Sequence, residues 1–400
     1  MLRVPVHKLQ PGMILARPVP LPDDPRRFLL QRDREIPLDV VPRLKQLGIM
    51  DVWVRHRELE FLEYLVDPEL GERQREVYSH VRRNFEQMIR NSSVELDVVH
   101  FEESIGSLFE FLKSGSTGDV LLQKLDAFDN YLISHSANVC YLALLVGMKL
   151  DRYLIEERRF KSAKDAKDLH ILGLGCLLHD IGKMHVPPAI LNKPGKLDDV
   201  EMAEMRRHTN HGYEMVRSAI PAAAASIVLN HHQRWDGSGY PGRIDHHTGT
   251  EGAPPAGRKI PVFARIATIA DVYDAATSRR CYSEAKHPVR ALAEMRNWSR
   301  GQFDPDVEAA FYRTVPPFPV GQVVTLSNGV DAVVVDFNPD YAVRPKVQSI
   351  RTARGQRIAN PSLEEIDLSF CDDIEIVSVD GEDVRPYVAA LEELEFAALA

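Results

Sequence analysis

The dipeptide His179-Asp180, followed by Ile181, Gly182 and Lys183, ends the apolar run Leu172–Leu178. It constrains the fold more than any other feature, because four more histidines and an aspartate stand around it in a metal-site order. A histidine beside an aspartate offers a neutral nitrogen and a carboxylate from one point of the backbone, which suits a borderline-hard divalent ion such as iron or manganese. His135 precedes the pair; His208, His231, His232 and Asp271 follow it. Asp271 lies in the apolar stretch Ile269-Ala270-Asp271-Val272-Tyr273-Asp274, where an unpaired carboxylate is costly to bury, so a positive partner is required. A bundle of merely satisfied core histidines would have to bury seven such polar groups with no ion to organise them.

From roughly Phe101 to Tyr312 the text is almost wholly helical, with apolar residues at helical spacing in Leu121, Leu122, Leu125, Phe128 and Leu132, then Leu142, Leu145 and Val146. All the candidate ligands fall inside it. Tyr131 and His135 are four apart, so both face one side of a helix. Spacings of three and four put Lys183 on the face carrying His179 and Asp180, where a plain helix-surface ion pair is the alternative to a functional role. His231 and His232 are adjacent and cannot share a helix face, so at least one must come from a distorted or terminal turn. The Asp236-Gly237 step and Tyr240-Pro241-Gly242 then require a loop. Glu156–Lys167 and Gly242–Gly257 read as surface loops or insertions.

A chain of 400 residues is expected to hold two or three domains. Residues 1–98 read as a small α+β domain, with a β-like opening around Val4–Leu15, a helix over Leu38–Leu47, a strand at Val52–Val54 and a charged linker helix from Gly71 to Arg90. Residues 99–313 form the helical domain. Residues 314–400 turn to β, with a hairpin signal in Val320–Leu326, Asn328-Gly329 and Ala332–Val335, and end in an amphipathic helix over Leu391–Ala400. The fold class is therefore mainly α: a helical bundle with a small α+β N-terminal domain and a β-rich C-terminal extension.

The net charge of −9 argues against a DNA or RNA partner, which calls for a basic stripe. Cys140, Cys176, Cys281 and Cys371 are scattered without a CxxC pair, which fits a reducing cytoplasm. The most apolar run, Val139–Met148, is too short for a membrane span, and the N-terminus has no export signal.

The series His135, His179-Asp180, His208, His231-His232 and Asp271 resembles the HD-GYP branch of the HD-domain phosphohydrolases. The likeness runs from about Leu121 to Trp298 and includes Ile190-Leu191-Asn192-Lys193-Pro194-Gly195-Lys196-Leu197 and the branch's namesake Gly239-Tyr240-Pro241. It implies an HD-type bundle that hydrolyses cyclic di-GMP to pGpG and/or GMP with two divalent metals, iron or manganese first and nickel or zinc next. Carried over, one metal is held by His135, His179, Asp180 and Asp271, and the other by Asp180, His208, His231 and His232, with Asp180 as the bridge. Two cations sharing one water lower its pKa from ~15.7 toward ~7, which supplies a hydroxide nucleophile. Lys183 is the cation expected at the transition state, and Arg280, with Arg279 as fallback, at the second phosphate. Gly239, Tyr240 and Pro241 shape the pocket rim near the substrate or a partner protein.

Three positions depart from the family's commonest pattern. Gln233 stands where a glutamate usually follows the two histidines, Tyr131 where some members carry a third-metal glutamate, and Ser283 where a basic phosphate contact is common. Two alternatives stay open: a catalytically weak nucleotide-binding protein or one that docks a diguanylate cyclase (GGDEF) partner, and a phosphodiesterase for another cyclic dinucleotide such as 3′,3′-cGAMP. Homodimerisation is also open.

Overall fold

The computed structural model describes residues 1–399 apart from 22–23, 48, 50, 57–58, 61, 63–76, 78, 80–82, 84–97, 115–130, 244–251, 279–284, 299 and 352–364. The expected linker helix from Gly71 to Arg90 lies mostly outside the described residues, as do Leu121, Leu122, Leu125 and Phe128.

At the N-terminus, β1 (Leu2–Pro5) pairs antiparallel with β4 (Asp51–Val54), with Leu2 opposite Val54. Alternation along β4 turns Val52 and Val54 inward, as a two-residue period dictates. Between them lie β2 (Val19–Leu21), β3 (Asp24–Leu30) and α1 (Val41–Gln46). The helix expected over Leu38–Leu47 is a 3-10 turn, Leu38–Val40, followed by α1, whose early Pro42 suits a first turn that has no use for its N–H. Leu15, Ile36, Leu44 and Ile49 close this small core.

The helical region comprises α2 (Val98–Ser114), α3 (Tyr131–Met148), α4 (Asp151–Glu157), α5 (Ala163–Ala166), α6 (Leu169–Leu178), α7 (Pro188–Leu191), α8 (Asp199–Arg206), α9 (His208–Val216), α10 (Ala222–Asn230), α11 (Val262–Thr277), α12 (Pro288–Trp298) and α13 (Pro305–Tyr312). Helix α6 is apolar all round and buried along nearly its whole length, which makes it the axis of the bundle. Helices α2, α3 and α10 pack around it, and α11 packs on α3. Gly175 lets α10 approach: a Cβ there would lie 2.8 Å from Ile227 Cβ and 2.9 Å from the Ala224 carbonyl. Among the described residues no single helix is long and apolar enough to cross a membrane.

The charged stretch Glu156–Lys167, expected as a surface loop or insertion, lies largely exposed at the surface and carries short helices. It holds the end of α4 and the short α5, and Arg158 pins it by donating to the Asp165 and Ala166 carbonyls at 2.9 and 2.8 Å, its guanidinium 4.3 Å from the Phe263 ring centre.

Beyond α13 an antiparallel six-stranded sheet runs in the order β10-β9-β5-β6-β7-β8. Its strands are β5 (Val323–Leu326), β6 (Asp331–Asp336), β7 (Lys346–Arg351), β8 (Glu365–Asp367), β9 (Ile376–Val379) and β10 (Glu382–Asp383). The β5–β6 hairpin turns at Asn328-Gly329, where Gly329 takes φ 81° and the Asn328 side chain accepts from Val330 N. Helix α14 (Arg385–Leu399) packs on α12 and β9. Val324, Val334 and Val347 share one apolar core with Leu292, Phe311 and Phe318, so the sheet is built onto the bundle rather than tethered to it.

Candidate metal centre

Each expected ligand sits where a helix begins, ends or is otherwise apolar. His135 lies one turn into α3; His179 closes α6, and Asp180 follows it. His208 opens α9, directly after α8. Helix α10 stops at Asn230, so His231 and His232 leave from its terminal turn, which resolves the problem of two adjacent imidazoles. Asp271 lies mid-way along α11. His135, His179, Asp180, His208 and His231 are all at most 1% exposed, and Asp271 is 6% exposed.

The seven side chains converge. His135 Nε2 and His179 Nε2 are 3.3 Å apart, and His208 Nε2 and His231 Nε2 are 3.2 Å apart. Asp180 lies between the two pairs and turns one oxygen to each. Its Oδ2 is 3.3 Å from His179 Nε2 and 3.6 Å from His135 Nε2, while its Oδ1 is 3.4 Å from His208 Nε2 and 3.8 Å from His231 Nε2. Asp271 Oδ1 is 3.1 Å from His135 Nε2, and its Oδ2 is 3.7 Å from His232 Nδ1. Three sets bring ligand atoms within 4.8 Å of one another: Asp180 with His208, His231 and His232; His135 with His179 and Asp180; and His179 with His231 and Asp271.

The outer nitrogens of these rings show why the inner ones face one another. His179 Nδ1 is 2.7 Å from the Cys176 carbonyl, His208 Nδ1 2.8 Å from that of Met205, and His231 Nδ1 2.9 Å from that of Val228. A carbonyl only accepts, so each Nδ1 carries a proton and each Nε2 faces the centre, as a bare lone pair on the neutral rings of His208 and His231. Lone pairs 3.2 Å apart repel unless a cation lies between or beside them. Asp180 Oδ1 is buried with no hydrogen-bond partner, which is costly on the same ground. Neutral imidazoles, two carboxylates and an orphaned carboxylate oxygen fit a pair of divalent cations.

The electrostatics agree. Burial pushes His208 down to about 4 and His232 down to about 3, and drives His231 well below its ordinary value, so all three are neutral ligands at pH 7. Burial opposes charge on Asp180 too, but Lys183 and then His179 hold it well below the carboxylate range. Burial likewise works against Asp271, and His135 more than offsets it. His135 differs from the other histidines: burial lowers it, yet Asp271 and Asp274 together hold it at about 9.

Lys183 is not on a helix face, because α6 ends before it. It lies on the 3-10 turn Ile181–His185 and donates to Asp180 Oδ2 at 2.5 Å, with its own side chain 19% exposed. The ion pair weighed as its plain alternative is thus made to the carboxylate at the middle of the centre.

The Gly-Tyr-Pro loop folds back onto the ligand turn. Tyr240 N donates to the His232 carbonyl at 3.2 Å, and the Tyr240 ring stacks on His232 with centres 4.7 Å apart at 29°. The Tyr240-Pro241 peptide is cis. A Cβ on Gly239 would lie 2.5–2.6 Å from Arg234 N, Gln233 Cα and the His232 carbonyl, so only glycine fits there. At the loop's base Trp235 donates to Gln302 O and accepts from Gly257 N, both at 2.8 Å. Beneath Trp235 lies Arg265, itself buried and bonded to Glu157 and Asp304. Gln233, where the family's commonest pattern has a glutamate, is buried, and its amide donates to the Pro241 carbonyl at 2.6 Å and ties the loop down.

One residue escaped the sequence reading. Asp274, fully buried, accepts from His135 Nδ1 at 2.7 Å, from Asn138 at 3.0 Å and from Ser278 at 3.1 Å, and so fixes the tautomer and orientation of His135. Its signal was a second carboxylate one helical turn after Asp271 in an apolar helix. Arg279, Arg280 and Ser283 lie outside the described residues, as does the side chain of Tyr131.

Comparison with known proteins adds a second line. The HD domain model matches residues 149–307, and that of a KOW domain associated with HD domains matches residues 323–383. The chain is 33% identical over 263 residues to cyclic di-GMP phosphodiesterase PA4108 of Pseudomonas aeruginosa, covering 65% of this chain and 58% of that protein. It is 38% identical over 150 residues to the cyclic di-GMP phosphodiesterase response regulator RpfG of Xanthomonas campestris, covering 37% of each. It is 37% identical over 131 residues to 3′3′-cGAMP-specific phosphodiesterase 2 of Vibrio cholerae, covering 32% of this chain and 23% of that protein. The chain thus spans a little over half of the first relative and smaller parts of the other two. Residues 149–307 thus match the HD domain, and the ordered histidines and aspartates gathered at one centre, with the Gly-Tyr-Pro loop folded onto it, are similar to the HD-GYP branch of that family.

Proposed function

We propose that this protein is a metal-dependent phosphodiesterase that hydrolyses cyclic di-GMP to pGpG and/or GMP. The observation that carries the reading is Asp180, whose two oxygens face separate histidine pairs, the arrangement a carboxylate needs to bridge two cations. In this reading His135, His179, Asp180 and Asp271 hold one ion and Asp180, His208, His231 and His232 the other, with iron or manganese as the metals. When bound, such a pair lowers the pKa of a shared water and offsets charge on a phosphodiester. The protein's own part is then positioning. Lys183, bonded to Asp180 and partly exposed, neutralises a phosphate oxygen that arrives beside Asp180. Tyr240 walls the pocket over His232, with Gly239 and Pro241 fixing its place, and Arg280 meets the second phosphate. Residues 1–98, 99–313 and 314–400 serve as input, catalytic and extension segments, and free Cys140, Cys176 and Cys371 suit a reducing cytoplasm.

A second reading, with 3′,3′-cGAMP as substrate, is favoured by the relatives of Vibrio cholerae named for that nucleotide. The test is hydrolysis of both nucleotides, side by side, by protein purified without oxygen, with metal content measured on the same sample and His179→Ala as control. Turnover to pGpG or GMP with about two metals per chain, lost in the variant, supports the proposal. Faster turnover of 3′,3′-cGAMP selects the second reading. Two bound metals without turnover of either would refute both and leave nucleotide binding or docking of a diguanylate cyclase.

A further inference from the structure

We infer that Arg206 is a substrate-phosphate contact at the mouth of the centre, held in place by Tyr240; the inference rests on the phosphodiesterase reading above. Helix α8 ends at Arg206, with Arg207 next and the ligand His208 after it. The two arginines are adjacent in sequence but differently engaged. Arg207 pairs with Glu204 on its own helix at 3.0 Å. Arg206 makes no ion pair among the described residues, and its guanidinium lies over the Tyr240 ring, 5.2 Å from the centre. That same ring stacks on His232, so cation, tyrosine and ligand histidine form one continuous contact.

The stack is rigid at its middle. Tyr240 is fixed by its backbone bond to His232 O, by the glycine-only approach of Gly239 and by the Gln233 amide on Pro241. A guanidinium resting on such a ring keeps its N–H edge free, and its fork matches the two non-bridging oxygens of a phosphodiester. Lys183 is already bonded to Asp180, so Arg206 adds a second cation for an anionic substrate. The charge of Arg234 also acts on Tyr240, but among the described residues no ring contact holds it. Arg206 is both unpaired and positioned.

The test is steady-state hydrolysis of cyclic di-GMP by metal-loaded wild type, R206A, R206K, Y240L and the R206A/Y240L double variant, at several salt concentrations. Metal content and circular dichroism serve as checks on folding. The inference expects R206A to raise KM about tenfold to a hundredfold, more than it lowers kcat, and to flatten the salt dependence of KM. R206K should recover only part, because an ammonium lacks the fork. Y240L should raise KM as well, and R206A should add little on top of it. A wild-type KM and salt dependence in R206A, or effects fully additive with Y240L, overturn the role of Arg206 while leaving the phosphodiesterase standing. If the wild type turns over nothing, the phosphodiesterase reading fails by itself, and binding of a fluorescent cyclic di-GMP decides. Tenfold weaker binding by R206A then supports the contact; equal binding, or none by either protein, overturns it.

Discussion

Gly182 is the tightest packing constraint at the centre. A Cβ added there would overlap the His208 carbonyl and the Gly212 amide, both backbone atoms of α9. No rotamer change relieves a clash with backbone, so Gly182→Ala must drive the 3-10 turn Ile181–His185 and α9 apart by on the order of an ångström. Overpacking of this kind costs about 1–3 kcal/mol, and the absence of any soft neighbour puts this case at about 3 kcal/mol. At about 2–4 °C per kcal/mol for a region of this size, the melting temperature should fall by about 6–12 °C. The displacement also has a direction. Asp180 stands on the turn side of the contact and His208 on the α9 side, 3.4 Å apart. The set Asp180, His208, His231 and His232 is therefore pulled open, whereas His135, His179 and Asp180 all lie on one side and keep their geometry. Metal content should drop from about two to about one per chain, and turnover should fall on the order of a hundredfold, the usual result of an ångström's misplacement. Calorimetry and elemental analysis of one preparation read both effects. Gly106→Ala is the control, since its Cβ would meet nothing closer than His170 Nε2 at 3.8 Å on a helix that prefers alanine. A Gly182→Ala protein with the wild-type melting temperature and two metals would refute the reasoning.

Four further outcomes are expected. Gln233→Glu places a carboxylate against the Pro241 carbonyl in a buried position, so thermal unfolding should show a loss of about 1–3 kcal/mol with no gain in turnover; a variant that is equally stable and faster would restore the idea of a missing ligand-orienting carboxylate. Asp274→Asn keeps an acceptor for His135 Nδ1 but removes its charge, so metal affinity should fall about 10–100-fold in competition with a chelator, and an unchanged affinity would remove Asp274 from the centre. Stripping the metals should lower the melting temperature reversibly, since ions at about 100 times their Kd add about 2.7 kcal/mol to stability; identical melting of stripped and reloaded protein would argue that the lone pairs are balanced in some other way. Gly321→Ala, at φ 85° with the Trp53 ring 2.6 Å from the new Cβ, should shift Trp53 fluorescence relative to a Trp53→Phe reference and cost about 1–3 kcal/mol, whereas unaltered emission would mean that the N-terminal domain does not rest on this corner.

The sequence by itself determined which residues must meet. Histidines and aspartates set in apolar helical text cannot be buried singly, so their order and chemistry announced a shared cationic centre before any coordinate was known. Helix limits were legible for the same kind of reason: adjacent His231 and His232 forced a helix end, and Asn328-Gly329 forced a hairpin turn. What only the tertiary structure decided was orientation. Which oxygen of Asp180 faces which histidine pair, that Asp274 stands behind His135, and that Gln233 holds Pro241 rather than a ligand all follow from the packing of α3, α6, α10 and α11, which brings residues 139 apart in sequence to 2.7 Å. Helical periodicity specifies the face of a residue but not the partner opposite that face, because the partner is set by how close two helices come. Here that distance depends on glycines such as Gly175 and Gly182, whose missing side chains carry no signal of their own in the sequence.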